Sequence, residues 1–165
     1  TVYTYDSESN LWKTYVDDKG AEGFTTTFFY APGWTQIADP DFSVDNGKYT
    51  VVLPEATSDQ WQAQVHVVTS IPAEADTEYD FSCKFLAKKD INGVTVKLTD
   101  TASDDNFFFA NTYDLKAGEE YQVKVPATVL KVGAAQKLKL VFDFGGNPED
   151  EKVEIYDIIF QKTAQ

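Results

Sequence analysis

Apolar and polar residues alternate one for one along much of this chain. Tyr79, Phe81, Cys83 and Phe85 are interleaved with Asp80, Ser82 and Lys84. Val94, Val96 and Leu98 alternate with Thr95, Lys97 and Thr99, and Leu138, Leu140, Phe142 and Phe144 with Lys137, Lys139, Val141 and Asp143. A period of two puts successive side chains on opposite faces of a strand, so each segment predicts a half-buried antiparallel strand. The spacing predicts further strands near residues 23–30, 48–53, 61–69, 106–115, 121–125 and 152–161. Helical periodicity is almost missing. Turn residues recur at short intervals in Asp45-Asn46-Gly47-Lys48, Asn92-Gly93, Lys116-Ala117-Gly118 and Gly145-Gly146-Asn147-Pro148. The pattern predicts an all-β chain of about nine or ten strands packed as a β-sandwich of two antiparallel sheets.

The segment Trp61-Gln62-Ala63-Gln64-Val65-His66-Val67-Val68 carries the most chemistry. Read as one strand from residue 61, it sets Gln62, Gln64 and His66 on one face and Ala63, Val65 and Val67 on the other. Amide side chains offer a donor and an acceptor together, which matches hydroxyl-rich ligands whose groups also do both. Trp61 adds a flat apolar plate beside them. Sugar rings present C–H faces and equatorial hydroxyls, so this combination is what carbohydrate recognition requires. The same segment also reads as the solvated face of an antiparallel strand with Trp61 in the core. Trp34, Trp12 and the Phe107-Phe108-Phe109 run supply further candidate plates. Three consecutive phenylalanines on a regular strand cannot all point inward, so at least one meets solvent, a partner or the cleft; they suit a rim, with Phe109 the candidate for the ligand, and a strand buried on both faces explains them nearly as well.

Composition narrows the choice of partner. The 165 residues suit one domain spanning 1–165, and 15% aromatic residues within 42% hydrophobic content mark a folded chain. A formal charge of −13 repels phosphate backbones and anionic lipid, so neither nucleic acid nor a membrane surface is an expected partner. A neutral polymer fits, and so does a divalent cation held by surplus carboxylates. Cys83 is the only cysteine and lies on the apolar side of its strand, which predicts an inert buried thiol. The sequence shows no signal-peptide pattern and no apolar run long enough to span a bilayer. Methionine is absent even at position 1, so a mature or excised segment of a longer protein is expected.

Catalysis finds little support. A glycoside hydrolase needs two carboxylates facing each other across a cleft. The acidic residues here cluster in loops, and Glu154 and Asp157, three apart, point to opposite faces of a regular strand. One His and one Cys leave few ways to build a triad and none to build a zinc site. No glycine-rich phosphate loop is present.

Taken with their order and spacing, Tyr49-Thr50-Val51-Val52-Leu53, Trp61-Gln62-Ala63-Gln64-Val65, Tyr79-Asp80-Phe81-Ser82-Cys83-Lys84, Leu140-Val141-Phe142-Asp143-Phe144-Gly145-Gly146 and Val153-Glu154-Ile155-Tyr156-Asp157-Ile158-Ile159-Phe160 resemble carbohydrate-binding modules of families 4, 9 and 22. The resemblance implies a jelly-roll sandwich with a concave face that binds a single β-glycan chain, xylan first and then β-1,3- or mixed-linkage β-glucan. It implies a monomeric, non-catalytic module covalently joined to a secreted bacterial glycoside hydrolase, such as an endo-xylanase, and working in an extracytoplasmic setting. It also nominates Asp157 as a ligand of one structural calcium; no organic cofactor is implied. The Asn-Gly-x-Phe-Glu opening common in these modules is replaced by Ser9-Asn10-Leu11-Trp12. From the residues alone, the ligand-binding candidates are Trp61, Gln62, Gln64, His66, Trp34, Trp12 and Phe109. The rival expectation is a structural or protein-interaction sandwich whose aromatic residues all serve the core.

Overall fold

The computed structural model describes residues 24–45, 47–69 and 72–164. Ten strands fall within them: β1 (Phe24–Tyr30), β2 (Phe42–Asp45), β3 (Lys48–Leu53), β4 (Ala63–Thr69), β5 (Tyr79–Ala87), β6 (Ile91–Asp100), β7 (Ser103–Leu115), β8 (Glu120–Thr128), β9 (Leu138–Asp143) and β10 (Glu151–Lys162). They form two five-stranded antiparallel sheets, ordered β1-β4-β9-β6-β7 and β2-β3-β10-β5-β8. Among the described residues no helix is long and apolar enough to cross a membrane.

The alternation read from the sequence sets the core. On β5, Tyr79, Phe81, Cys83, Phe85 and Ala87 are buried, with half-buried residues between them. Facing them from the first sheet are Leu138, Leu140 and Phe142 of β9 and Val94, Val96 and Leu98 of β6. Aromatic rings lock the layers together: Phe85 meets Phe142 edge to face at 5.7 Å, and Phe81 meets Phe109 at 4.9 Å. Burying one such ring contributes on the order of 1.5–3 kcal/mol. Cys83 is buried among them, and burial pushes its thiol far above the usual range, so it stays a neutral packing group.

Several bulges depart from simple alternation, and two of them move residues the sequence singled out. On β10 the inward residues switch from Val153 and Ile155 to Ile158 and Phe160, and the register against β5 shifts between Tyr156 and Ile159. Asp157 absorbs the extra residue at φ 51, a conformation Asp tolerates better than most. Glu154 and Asp157 therefore share the outer side, where they meet Lys48 at 3.6 Å and Lys84 at 3.2 Å; the bulge cancels the opposite-face expectation. On β7, Leu98 faces Phe109 and Thr99 faces Phe107, leaving Phe108 over. Phe108 and Phe109 both turn inward as a result, while Phe107 lies under the Lys131 ammonium at 5.0 Å.

Candidate functional site

The outer faces of the two sheets differ in chemistry. On the β2-β3-β10-β5-β8 side the charges satisfy one another: Lys48 bridges Glu154 and lies 5.2 Å over the Tyr156 ring, and Lys84 bridges Asp157 and Glu120, which accepts from the Tyr156 hydroxyl. The β1-β4-β9-β6-β7 side instead carries amides, hydroxyls and few paired charges. Strand register arranges them in rows. One row reads Phe29, Gln64, Asp143, Thr95, Thr112 across β1, β4, β9, β6 and β7. The next reads Thr27, His66, Val141, Lys97, Ala110. With strands about 4.8 Å apart, a row of five runs roughly 19 Å across the sheet.

An aromatic platform stands at the Phe29 end. The Trp61 ring lies 6.3 Å from Phe29 and 5.4 Å from Trp34. Trp34 is 65% exposed and Trp61 40%, the two most exposed aromatic side chains among the described residues. Trp34 closes the short 3-10 turn Pro32–Trp34 with φ 70, directly after Gly33 at φ 64. A non-glycine residue held there costs on the order of 1 kcal/mol, so backbone strain and solvent exposure coincide on one tryptophan.

Gln62 plays a different part from the one its sequence position implied. Residues Gln60–Gln62 form a 3-10 turn, and β4 begins only at Ala63, so Gln62 does not share a face with Gln64 and His66. Its side chain is 1% exposed. Oε1 accepts from the backbone N–H groups of Ser58 (3.0 Å) and Asp59 (2.8 Å) and from the Ser58 hydroxyl (3.0 Å), and Nε2 donates to the Ala31 carbonyl at 3.0 Å. Ala31 precedes the Trp34 turn and also donates its N–H to the Gln62 carbonyl at 2.8 Å. Gln62 is therefore a strut between the two tryptophan-bearing turns, and it offers no free polar atom to a ligand. Gln60 extends the same turn over the sheet, its amide donating to the Gly93 carbonyl at the β6 bulge.

Gln64 and His66 do lie on the outer face, with the Gln64 Oε1 3.1 Å from the His66 Nε2. Burial holds the imidazole below its ordinary range, and Lys139 adds to this while Asp104 opposes it. At neutral pH His66 is accordingly neutral. Asp143, which the sequence shows only as one polar position in an apolar strand, sits between Gln64 and Thr95. Its Oδ1 is shut off from solvent and meets no hydrogen-bond donor among the described residues. Burial pushes the carboxyl up to about 6, partly offset by the Gln64 amide and by Lys97.

The remaining candidates separate clearly. Phe109 is 5% exposed and packs on Phe81, so the bulge at Phe108 removes it from the rim. Trp12 lies outside the described residues. Asp157 is ion-paired with Lys84, and among the described residues no group of three or more His, Cys, Asp or Glu side chains is arranged to hold a metal ion. The described surroundings of Asp157 thus do not fit a calcium site.

No protein-family model matches the chain, and no curated protein matches it in sequence. Solved structures do match its fold. A CBM4 carbohydrate-binding module superposes with a TM-score of 0.64 at 16% identity, covering 90% of this chain and 94% of that one. The second N-terminal cellulose-binding domain of Cellulomonas fimi β-1,4-glucanase C gives 0.60 at 16% identity, covering 97% and 98%. A family 29 carbohydrate-binding module complexed with mannohexaose gives 0.51 at 10% identity, covering 99% and 94%. The sandwich is thus of the kind found in carbohydrate-binding modules.

Proposed function

We propose that this chain is a non-catalytic carbohydrate-binding module that lays a β-linked glycan across the rows of the β1-β4-β9-β6-β7 face. The observation that carries this reading is the contact between two solvent-exposed tryptophans, Trp34 and Trp61, at the end of a row of hydrogen-bonding side chains. A core role does not account for exposed rings, and an unselected surface does not account for a strained Trp34. Stacked sugar C–H faces would cover the rings while Gln64, Thr95 and Thr112 meet hydroxyls. The surplus negative charge favours a neutral polymer.

Within that class we place xylan first and β-1,3- or mixed-linkage β-glucan second. The module would be joined to a glycanase and work outside the cytoplasm, holding the enzyme on its polysaccharide.

Intrinsic tryptophan fluorescence titrated with soluble xylan, barley mixed-linkage glucan and laminarin tests the reading. A saturable blue shift with at least one polymer is expected. Trp61→Ala and Trp34→Ala should each weaken binding about tenfold or more while the protein remains folded, because each removes a plate contributing on the order of 1–3 kcal/mol. No response to any of the polymers, or full affinity in both variants, would return the chain to the structural class.

A further inference from the structure

Asp143 stands at the centre of the row that starts at the platform, two strands from Phe29, and its Oδ1 lacks a donor. Buried polar atoms in folded proteins nearly always have a partner, so an orphan oxygen on an outer sheet face calls for one from outside the fold, a water, an ion or a ligand. The neighbours do not complete it. The Gln64 amide reaches the carboxyl and works against its raised pKa but leaves Oδ1 without a donor, and the Thr95 hydroxyl lies 3.2 Å from the Thr112 hydroxyl. Lys97 lies one row away. The terminal torsion of an aspartate is soft, so a small rotation brings both oxygens to bear on a ring seated over the row.

Building on the proposed glycan-binding reading, we propose that Asp143 is the specificity-determining residue of this face, a carboxylate that accepts hydrogen bonds from two adjacent hydroxyls of one sugar ring. A β-1,4-linked pyranose chain leaves O2 and O3 free on every ring. A β-1,3-linked glucan spends O3 in the linkage, and its internal rings retain no adjacent pair of ring hydroxyls. The face therefore selects β-1,4-linked chains, and the neutral ends of Gln64 and Thr95 tolerate either sugar on the flanking positions.

The proposal fixes a direction for pH. Hydroxyl donors favour the ionised carboxyl, so binding lowers the Asp143 pKa from its unliganded position of about 6 and releases a proton near that pH. Affinity is full above that value and falls as pH drops through it. Other ionisable groups of the face include Asp114 on β7, bonded to the Gly93 N–H at 2.9 Å, His66 on β4, Lys97 on β6, Lys139 on β9 and Asp104 on β7, the last two ion-paired at 3.2 Å. His66 also gains charge on acidification, so a His66→Gln variant serves as the control: it should keep the profile.

Calorimetric titration with xylohexaose, cellohexaose and laminarihexaose at pH 7.5 and pH 5, on the wild type, Asp143→Asn and Trp61→Ala, tests the assignment. Wild-type protein should prefer a β-1,4-linked hexaose over laminarihexaose by about tenfold, the size of one hydrogen bond to a charged group, and lose that preference at pH 5. Asp143→Asn should lose it at both pH values. The variant should hold or raise its melting temperature at pH 7.5, because a carboxyl with a raised pKa loses stability to ionisation as pH climbs from the unfolded value through about 6. A folded Asp143→Asn that binds like the wild type, or a wild-type profile flat between pH 5 and 7.5, overturns the role of Asp143. In that case loss of binding in Trp61→Ala still leaves the glycan-binding reading standing. Wild-type protein that binds none of the hexaoses sinks both.

Discussion

Gly145→Ala is expected to destabilise this protein by about 3 kcal/mol or more and to displace the aromatic platform with it. A Cβ on Gly145 would lie 1.7 Å from the Asp59 carbonyl oxygen and 2.4 Å from the Gln60 carbonyl carbon and Cα. All three are backbone atoms, so no rotamer change relieves the overlap. The chain passes this close because the turn bearing Trp61 lies directly on the end of β9, with Phe144 donating to Ala63 at 2.7 Å and Gly145 donating to Gln60 at 3.1 Å. Either the turn lifts, carrying Trp61 with it, or the strand end shifts and opens the core at Phe144, which is fully buried. Gly133→Ala is the matched control. That glycine has φ 60 and open space around its Cβ position, so only the left-handed backbone cost of about 1–2 kcal/mol applies. Thermal unfolding of the two variants side by side decides the matter: equal losses would mean that the close approach of turn and strand is not what Gly145 serves.

Gln62→Ala should cost about 2–4 kcal/mol and abolish the proposed glycan binding, although Gln62 itself offers no atom to a ligand. The substitution leaves the N–H groups of Ser58 and Asp59 without their partner and the Ala31 carbonyl with only the Trp34 N–H, at 3.2 Å. Stranded buried groups cost about 1–3 kcal/mol each, less whatever water recovers. The larger consequence is geometric, because the two turns lose their common strut and the 5.4 Å contact between Trp34 and Trp61 is no longer held. Gln62→Glu should fare little better: it keeps acceptors for Ser58 and Asp59 but loses the donor to Ala31 and places a charge in a buried site. The check is a chemical unfolding curve for each variant paired with a sugar titration under native conditions. Gln62→Ala with wild-type stability and affinity would show the strut to be dispensable.

Alternation made most of the strands legible. Period-two runs at 79–85, 94–98 and 138–144 carried enough apolar residues on one face to fix both the secondary structure and the inward set. β2 escaped notice because Phe-Ser-Val-Asp is only four residues long, and its alternation of half-buried Phe42 and Val44 with exposed Ser43 and Asp45 is too short for a period to register. The bulges were hidden for a different reason. A strand with one extra residue shifts its parity, and the signal lies in the sequence only as two inward sets out of step, Val153 and Ile155 against Ile158 and Phe160. Read that way, the step at Asp157 was there to be found, as was the paired burial of Phe108 and Phe109.

The site was legible in its ingredients and obscure in its assembly. Trp34, Trp61, Gln64 and His66 were identifiable as residue types suited to sugars, but Trp34 and Trp61 meet only because β1 pairs with β4 and both strands end in short turns. Gln62 looked like its neighbour Gln64 because residues 61–62 were read as strand; the 3-10 turn that ends at Gln62 inverted its role from contact to support. Asp143 drew no attention as an outward polar position. The shielding of its Oδ1 depends on strands 79 and 48 positions away, those bearing Gln64 and Thr95, and no local pattern records that.

The position of β10 has a consequence for how the molecule is made. Glu151–Lys162, the last of the described strands, fills the middle of its sheet, hydrogen-bonded to β3 on one side and to β5 on the other. A nascent chain that has emerged only as far as β9 therefore holds β3 and β5 with a strand-wide gap between them, and Tyr49, Val51, Phe81 and Phe85 face a core that lacks Val153, Ile155, Ile158 and Phe160. Neither sheet edge is protected at that stage, and unpaired apolar strands are templates for aggregation. The second sheet is continuous only once residues 151–162 are present, so a chain break ahead of them removes its central strand.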